Sequence, residues 1–169
     1  MPLTIVGLVT EWAFSGQVIV VAAAAACLVL LVKRRWLLAL SAALAFPLMA
    51  TEVVLKFLIN EPPASRYLQV RSLFAHGGPA VSELARGFPS GHGSRIGFAI
   101  GWLALLVIPA RYRLPAAGVA LILTLFVAWT RVYVGDHSLL EMIAGLLLSL
   151  VFLLPAWTLI QAARNKPAR

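Results

Sequence analysis

Residues 130 to 145 read T-R-V-Y-V-G-D-H-S-L-L-E-M-I-A-G, a polar segment that leads into an apolar run. It places Arg131, His137 and Glu141 beside that run. Ionisable groups in or beside hydrocarbon are costly unless they are paired or used, so their presence indicates a candidate site. The pattern predicts a helix beginning near Asp136 as its N-cap. His137 and Glu141 then stand four residues apart on one face, where a carboxylate can orient an imidazole.

The composition predicts an integral membrane protein with an all-α fold, a polytopic transmembrane helix bundle. The chain has 169 residues, of which 62% are hydrophobic and 12% charged, and a mean hydropathy of +0.94. Soluble domains are about one quarter charged, and a crossing needs about 20 apolar residues. The sequence predicts one domain over residues 1–169, with an interfacial helix near residues 1–17 or a sixth span as the alternative. The five predicted spans are residues 14–32, 36–59, 93–109, 114–131 and 138–160.

The net charge of +8 is distributed as a topology signal, which argues against a nucleic-acid partner. Eight Lys or Arg residues lie in the breaks at 33–35 and 111–113 and in the tail from Arg164. All six acids and all three His residues fall on the other side of the predicted bundle. The positive-inside rule makes the basic loops and the C-terminus cytoplasmic. The candidate site, with the long loop at 60–91, then faces the outer side of the membrane. Short loops, a small single domain and an Ala/Leu/Arg-rich sequence suit a bacterial protein, so the expected location of the site is the periplasm or cell exterior of an inner membrane.

Two further segments reach the same side as the opening stretch. The segment Phe88-Pro89-Ser90-Gly91-His92 directly precedes the third span, so free N–H groups at the start of that helix can bind an anion. Lys56, near the end of the second span, and Arg131 add cationic donors that suit a phosphate. Two imidazoles then remain for chemistry, since one can attack phosphorus while the other protonates the leaving oxygen.

The motifs P-S-G-H at 89–92 and T-R-V-Y-V-G-D-H-S-L-L-E at 130–141 resemble the type 2 phosphatidic acid phosphatase superfamily of membrane lipid phosphate phosphatases. The resemblance extends from about residue 14 to residue 160. The second family motif is complete, and the third has Thr130 for Ser and Glu141 for Asp. The paired carboxylate keeps its charge but gains one methylene.

The resemblance implies a role for each matching position. His137 would be the nucleophile that forms a phosphohistidine, Glu141 would orient it, and His92 would be the general acid. The phosphoryl oxygens would be bound by Lys56, Ser90, Gly91 and Arg131. Neither a metal nor another cofactor would be needed.

The first family motif is incomplete in this chain. The pattern of Lys, six residues and Arg-Pro would place Arg at 63 and Pro at 64, but the chain has Pro63 and Ala64. Arg66, three residues further on, is predicted to supply the missing guanidinium, with Arg86 and Arg95 as alternatives. Lys56 can instead form an ion pair with Glu52 at i − 4.

The expected function is hydrolysis of a lipid phosphate monoester or diphosphate at the outer face. The resemblance suggests polyprenyl diphosphate, phosphatidylglycerol phosphate, phosphatidic acid or lipid A, and the sequence does not rank them or predict an oligomeric state. One alternative is a lipid-phosphate binding or transport protein with weakened catalysis. Another is a metal-dependent hydrolase that uses His92, His137 and Glu141 as ligands.

Overall fold

Six α-helical segments and one 3₁₀ turn make up the part of the chain that the structure describes. The structure is a computed structural model, described for residues 15–59, 87–133 and 137–165. The segments are α1 (Gly16–Val32), α2 (Trp36–Ala43), α3 (Ala45–Ile59), α4 (Gly91–Val107), the 3₁₀ turn (Ala110–Tyr112), α5 (Arg113–Tyr133) and α6 (Leu139–Arg164).

Helices α2 and α3 form the second predicted span and are separated only at Leu44. Pro47 lies one turn further on and has no N–H to donate to the carbonyl of Ala43. The regular hydrogen-bond ladder is therefore incomplete at this point. The chain nevertheless continues as one apolar stretch of 24 residues, Trp36–Ile59.

The predicted all-α membrane bundle is confirmed. Three helical stretches are long and apolar enough to cross a membrane within the described residues, namely Trp36–Ile59, Arg113–Tyr133 and Leu139–Arg164. Helices α1 and α4 have 17 residues each and extend about 25 Å at 1.5 Å per residue, slightly less than a hydrocarbon core of about 30 Å. Large apolar side chains are exposed along the outer helix faces, as expected where lipid is the solvent. The count of five spans stays a prediction. So does the interfacial helix near residues 1–17, of which residues 1–14 lie outside the described residues.

Helix α4 is the central element, and it packs most extensively against α6. The sequence predicts that Gly97 and Gly101 serve close packing within the bundle, and this is confirmed. A Cβ at Gly97 would overlap Ser149 of α6, and one at Gly101 would come within 2.6 Å of Leu153. This close approach holds α4 and α6 side by side.

The core lies between α2, α3, α4 and α6 and is centred on Trp102. Its indole Nε1 donates to Ser41 Oγ at 3.0 Å, which satisfies the polar atom of a buried ring. At the end of the bundle where α4 and α6 finish, Arg164 Nη2 donates to the carbonyls of Leu105 and Leu106 at 2.8 and 2.9 Å. The opposite end, where α4 and α6 begin and α3 and α5 finish, is called the site end below.

Candidate active site

The start of α6 positions the histidine of the third motif. Ser138 is the N-cap, and its Oγ accepts from the N–H of Glu141 at 3.2 Å. The prediction of Asp136 as the cap is therefore wrong, and Asp136 itself lies outside the described residues. Ser138 and Glu141 fit the capping-box pattern S-x-x-E, in which the Glu side chain normally returns to the N-cap N–H. Here that carboxylate binds His137 instead.

His137 lies just before the helix rather than within it, and its side chain still meets Glu141. His137 Nδ1 is 2.7 Å from Glu141 Oε2, and the two side chains are 13% and 2% exposed. A carboxylate on Nδ1 holds the proton there and leaves Nε2 as the basic ring nitrogen. The predicted pairing is therefore present in the structure, at hydrogen-bond distance.

Gly87 lies directly against this pair. A Cβ on Gly87 would come 2.5 Å from Glu141 Oε1 and 2.6 Å from its carboxyl carbon. No side chain fits there without displacing the carboxylate. The extra methylene of Glu141, relative to the Asp of the family pattern, thus occupies space that glycine leaves.

The second motif brings His92 to the same place. His92 is the second residue of α4, and its ring centroid is 5.8 Å from that of His137 with an interplanar angle of 57°. Two imidazoles from segments 45 residues apart therefore share one site. The two motifs predicted this convergence, although no local sequence pattern links His92 with His137.

Ser90 and Gly91 form the junction between α4 and α6. Ser90 is fully buried and is the N-cap of α4, with its Oγ accepting from the N–H of Gly93 at 3.3 Å. Its own N–H donates to the carbonyl of Glu141 at 3.0 Å. This bond fixes His92 relative to Glu141. Gly91 is buried too, and a Cβ there would overlap the carboxylate of Glu52.

Glu52 lies beside Gly91 at the site end, although the sequence predicts for it only a local ion pair with Lys56. The residue is 3% exposed, and its carboxylate lies 3.4 Å from Lys56 Nζ. Each of its oxygens is also 3.3 Å from Arg95 Nη1 on α4, and Oε2 is 3.1 Å from Ser94 Oγ. The local pair with Lys56 is confirmed. The sequence did contain a signal for the further contacts, because a carboxylate inside an apolar span needs partners for its charge.

Arg131 lies in the last turn of α5 at the site end and is 1% exposed. Thr130, which replaces the Ser of the family pattern, is fully buried and donates to the carbonyl of Val127 at 2.7 Å. A hydroxyl at this position therefore has a backbone acceptor in the helix. The burial of Arg131 agrees with its predicted place in a site rather than at the lipid or water surface.

Two predictions concern residues that the structure does not describe. Arg66 and Arg86 lie in the segment 60–86, as does most of the predicted outer loop, so the replacement of the missing guanidinium stays a prediction.

In the part of the chain with described coordinates, no group of three or more His, Cys, Asp or Glu residues could hold a metal ion. The alternative ligand set of His92, His137 and Glu141 thus has no support from the geometry.

Comparison with known proteins places the chain in a family. The sequence profile of the PAP2 superfamily matches residues 36–165. "Putative undecaprenyl-diphosphatase YbjG" of Escherichia coli (strain K12) is 33% identical over 104 residues, which cover 56% of this chain and 50% of that protein. The chain thus spans about half the length of this curated relative. No solved structure matches the chain. Since the profile covers well over half of its residues, the chain belongs to the PAP2 superfamily.

Proposed function

We propose that this protein is an integral membrane lipid phosphatase that hydrolyses a lipid phosphate monoester or diphosphate through a phosphohistidine on His137. The observation that carries the proposal is the contact of 2.7 Å between His137 Nδ1 and the buried Glu141 carboxylate, together with the ring of His92, whose centroid is 5.8 Å from that of His137. This arrangement leaves Nε2 of His137 as the nucleophile and supplies a second imidazole for proton transfer.

The first step transfers the phosphoryl group to the enzyme. Nε2 of His137 attacks phosphorus, an N–P bond forms, and the bond from phosphorus to the leaving oxygen breaks. His92, in its protonated form, gives a proton to that oxygen. His137 becomes a phosphorylated imidazolium, and the negative charge of Glu141 at 2.7 Å stabilises the developing positive charge.

The second step regenerates the enzyme. Neutral His92 takes a proton from water as the water oxygen attacks the phosphohistidine. The N–P bond breaks, inorganic phosphate is released, and His92 is again protonated. Each histidine therefore returns to its starting state after one turnover.

Phosphate binding is assigned to Lys56 and Arg131, to the Ser90 and Gly91 segment and, outside the described residues, to Arg66. The N-terminus of α4 adds the partial positive charge of a helix dipole. Cationic and N–H donors stabilise charge on the equatorial oxygens in the transition state, where phosphoryl-transfer enzymes gain most of their rate. A metal is therefore not needed in this scheme.

A polyprenyl diphosphate is the substrate class that we favour. The support is the name of the E. coli relative, which specifies undecaprenyl diphosphate; phosphatidylglycerol phosphate, phosphatidic acid and lipid A remain in the test panel. The positive-inside distribution supports a multi-pass inner-membrane protein with the site end facing the periplasm or exterior.

The test is phosphate release from this panel by the purified protein in detergent without divalent metal. We expect turnover by the wild type, inhibition by vanadate, which mimics pentacoordinate phosphorus, and no inhibition by a chelator. Replacing His137 by Ala should abolish turnover. Full activity in that variant would refute the proposal, and tight lipid binding by an inactive wild type would instead indicate the binding or transport protein.

A further inference from the structure

Lys56, a predicted phosphate ligand, is paired with a buried carboxylate that a second cation also contacts. Its Nζ lies 3.4 Å from Glu52 Oε1, and Glu52 is also contacted by Arg95 Nη1 at 3.3 Å from both carboxylate oxygens. These three residues form the Glu52 cluster, in which two cations share one carboxylate. All three side chains are at most 13% exposed, so water screens their charges weakly.

We propose that Arg95 is a positioning residue that neutralises Glu52, so that Lys56 keeps its positive charge for the phosphate group. This inference rests on the proposed function of the site. If Glu52 and Lys56 were alone, they would form a neutral pair, and an incoming phosphate would have to compete with a buried carboxylate for the ammonium group. With Arg95 present, the cluster carries a net charge of one positive unit.

The groups packed around Glu52 hold its carboxylate in contact with Arg95. Ser94 Oγ lies 3.1 Å from Glu52 Oε2, and the carboxylate fills the space beside Gly91, where a Cβ would overlap it. Both contacts come from α4, the helix that carries Arg95. Lys56 is the member of the cluster on the same helix as Glu52, one turn closer to the end of α3, and its flexible stem can turn to a phosphate while Glu52 stays on Arg95.

The same geometry argues that Arg95 is not the missing phosphate-binding guanidinium. Its Nη1 is committed to both oxygens of Glu52, and it lies on the side of α4 that faces α3 and the start of α1, near Gly16. Glu141, in the first turn of α6, instead accepts from the N–H of Ser90, the N-cap of α4, and His137, just before α6, packs on the ring of His92. Arg95 therefore acts on the phosphate through Lys56.

The experiment is a double-mutant cycle on Arg95 and Glu52 in the full chain, in detergent. The readouts are kcat/KM for the lipid substrate and the inhibition constant of inorganic phosphate. Arg95→Gln should lower kcat/KM and weaken phosphate inhibition by about 10- to 100-fold, the range found when a residue that orients a metal ligand is removed. Arg95→Lys should restore most of the loss because it keeps the charge.

The double variant Arg95→Gln/Glu52→Gln distinguishes this role from a structural one. It removes both charges and leaves Lys56 without a competing carboxylate, so both readouts should return to within about threefold of wild type, the sign of coupling between neighbours. A folded double variant as impaired as Arg95→Gln would overturn the proposal. If Arg95→Gln does not fold, Glu52→Gln alone gives the answer, since phosphate inhibition weakened tenfold in that variant would also overturn it.

Arg164→Gln is the control, because it makes the same substitution at an exposed guanidinium that donates to carbonyls at the far end of α4. It should leave phosphate inhibition unchanged. The proposed function can fail separately. If the wild type releases no phosphate from any lipid, direct binding of inorganic phosphate to the same variants by calorimetry still tests the role of Arg95, and equal affinities of wild type and Arg95→Gln would refute it.

Discussion

Replacing Glu141 by Gln removes the negative charge behind His137 and keeps the shape of the side chain. At the observed separation of 2.7 Å, the attraction between this carboxylate and a full positive charge on the imidazole is about 6 kcal/mol at an effective dielectric constant of about 20. In the proposed mechanism the charge on His137 develops during phosphoryl transfer, so most of this attraction would act in the transition state and not in the resting enzyme.

We therefore expect Glu141→Gln to lower kcat by about 10²- to 10⁴-fold, equivalent to ~3–5 kcal/mol. The upper end matches the ~10⁴-fold loss seen when the carboxylate of a Ser-His-Asp triad becomes an amide. KM should change little, because the amide does not touch the phosphate. The assay is initial-rate phosphate release in detergent, with the melting temperature measured on the same preparation.

The control is Glu141→Asp, which keeps the charge and shortens the arm by one methylene. It restores the residue of the family pattern but draws the carboxylate back from a position where the contact is 2.7 Å, so we expect activity between those of wild type and Glu141→Gln. A folded Glu141→Gln protein with more than one tenth of wild-type kcat would refute the reasoning, since the carboxylate would then not stabilise the charge on His137.

Two further substitutions test the packing. Gly87→Ala places a methyl group 2.5 Å from Glu141 Oε1 and should lower kcat by at least tenfold by moving the carboxylate; adding Glu141→Asp should recover part of the loss in the same rate assay. Gly97→Ala would overlap Ser149, and overpacking of this kind should reduce the free energy of unfolding by ~1–3 kcal/mol, seen as a lower melting temperature with no change in KM.

The bundle and the pairing of His137 with Glu141 were predictable because each has a local signal. Apolar runs of membrane-spanning length stand out in any chain, and His137 and Glu141 are separated by the four residues that bring side chains together at a helix start. The exact start of α6 was less predictable, because Asp136 and Ser138 are both good N-caps. The S-x-x-E pattern at 138–141 favoured Ser138 and could have decided the question.

Only the Glu52–Lys56 pair of the Glu52 cluster was predictable from the sequence. Glu52 and Lys56 are one turn apart, whereas Arg95 is 43 residues away and meets Glu52 only because α3 packs against α4. The fit between Gly87 and Glu141 was unpredictable for the same reason. A glycine in the sequence shows that a side chain is missing, but not which group from another segment fills the space. Contacts across helices depend on helix rotation, which apolar periodicity determines poorly when most faces are apolar.

The proposed phosphohistidine on His137 can be trapped, and trapping it distinguishes this mechanism from the alternatives. The wild type would be mixed for milliseconds with polyprenyl diphosphate labelled in its terminal phosphate, quenched in alkali and digested, and the labelled peptide sequenced by mass spectrometry. We predict an acid-labile label on His137 that forms as fast as the turnover rate requires and is absent from His137→Ala. A kinetically competent label on any other residue, or turnover by His137→Ala, would contradict the account.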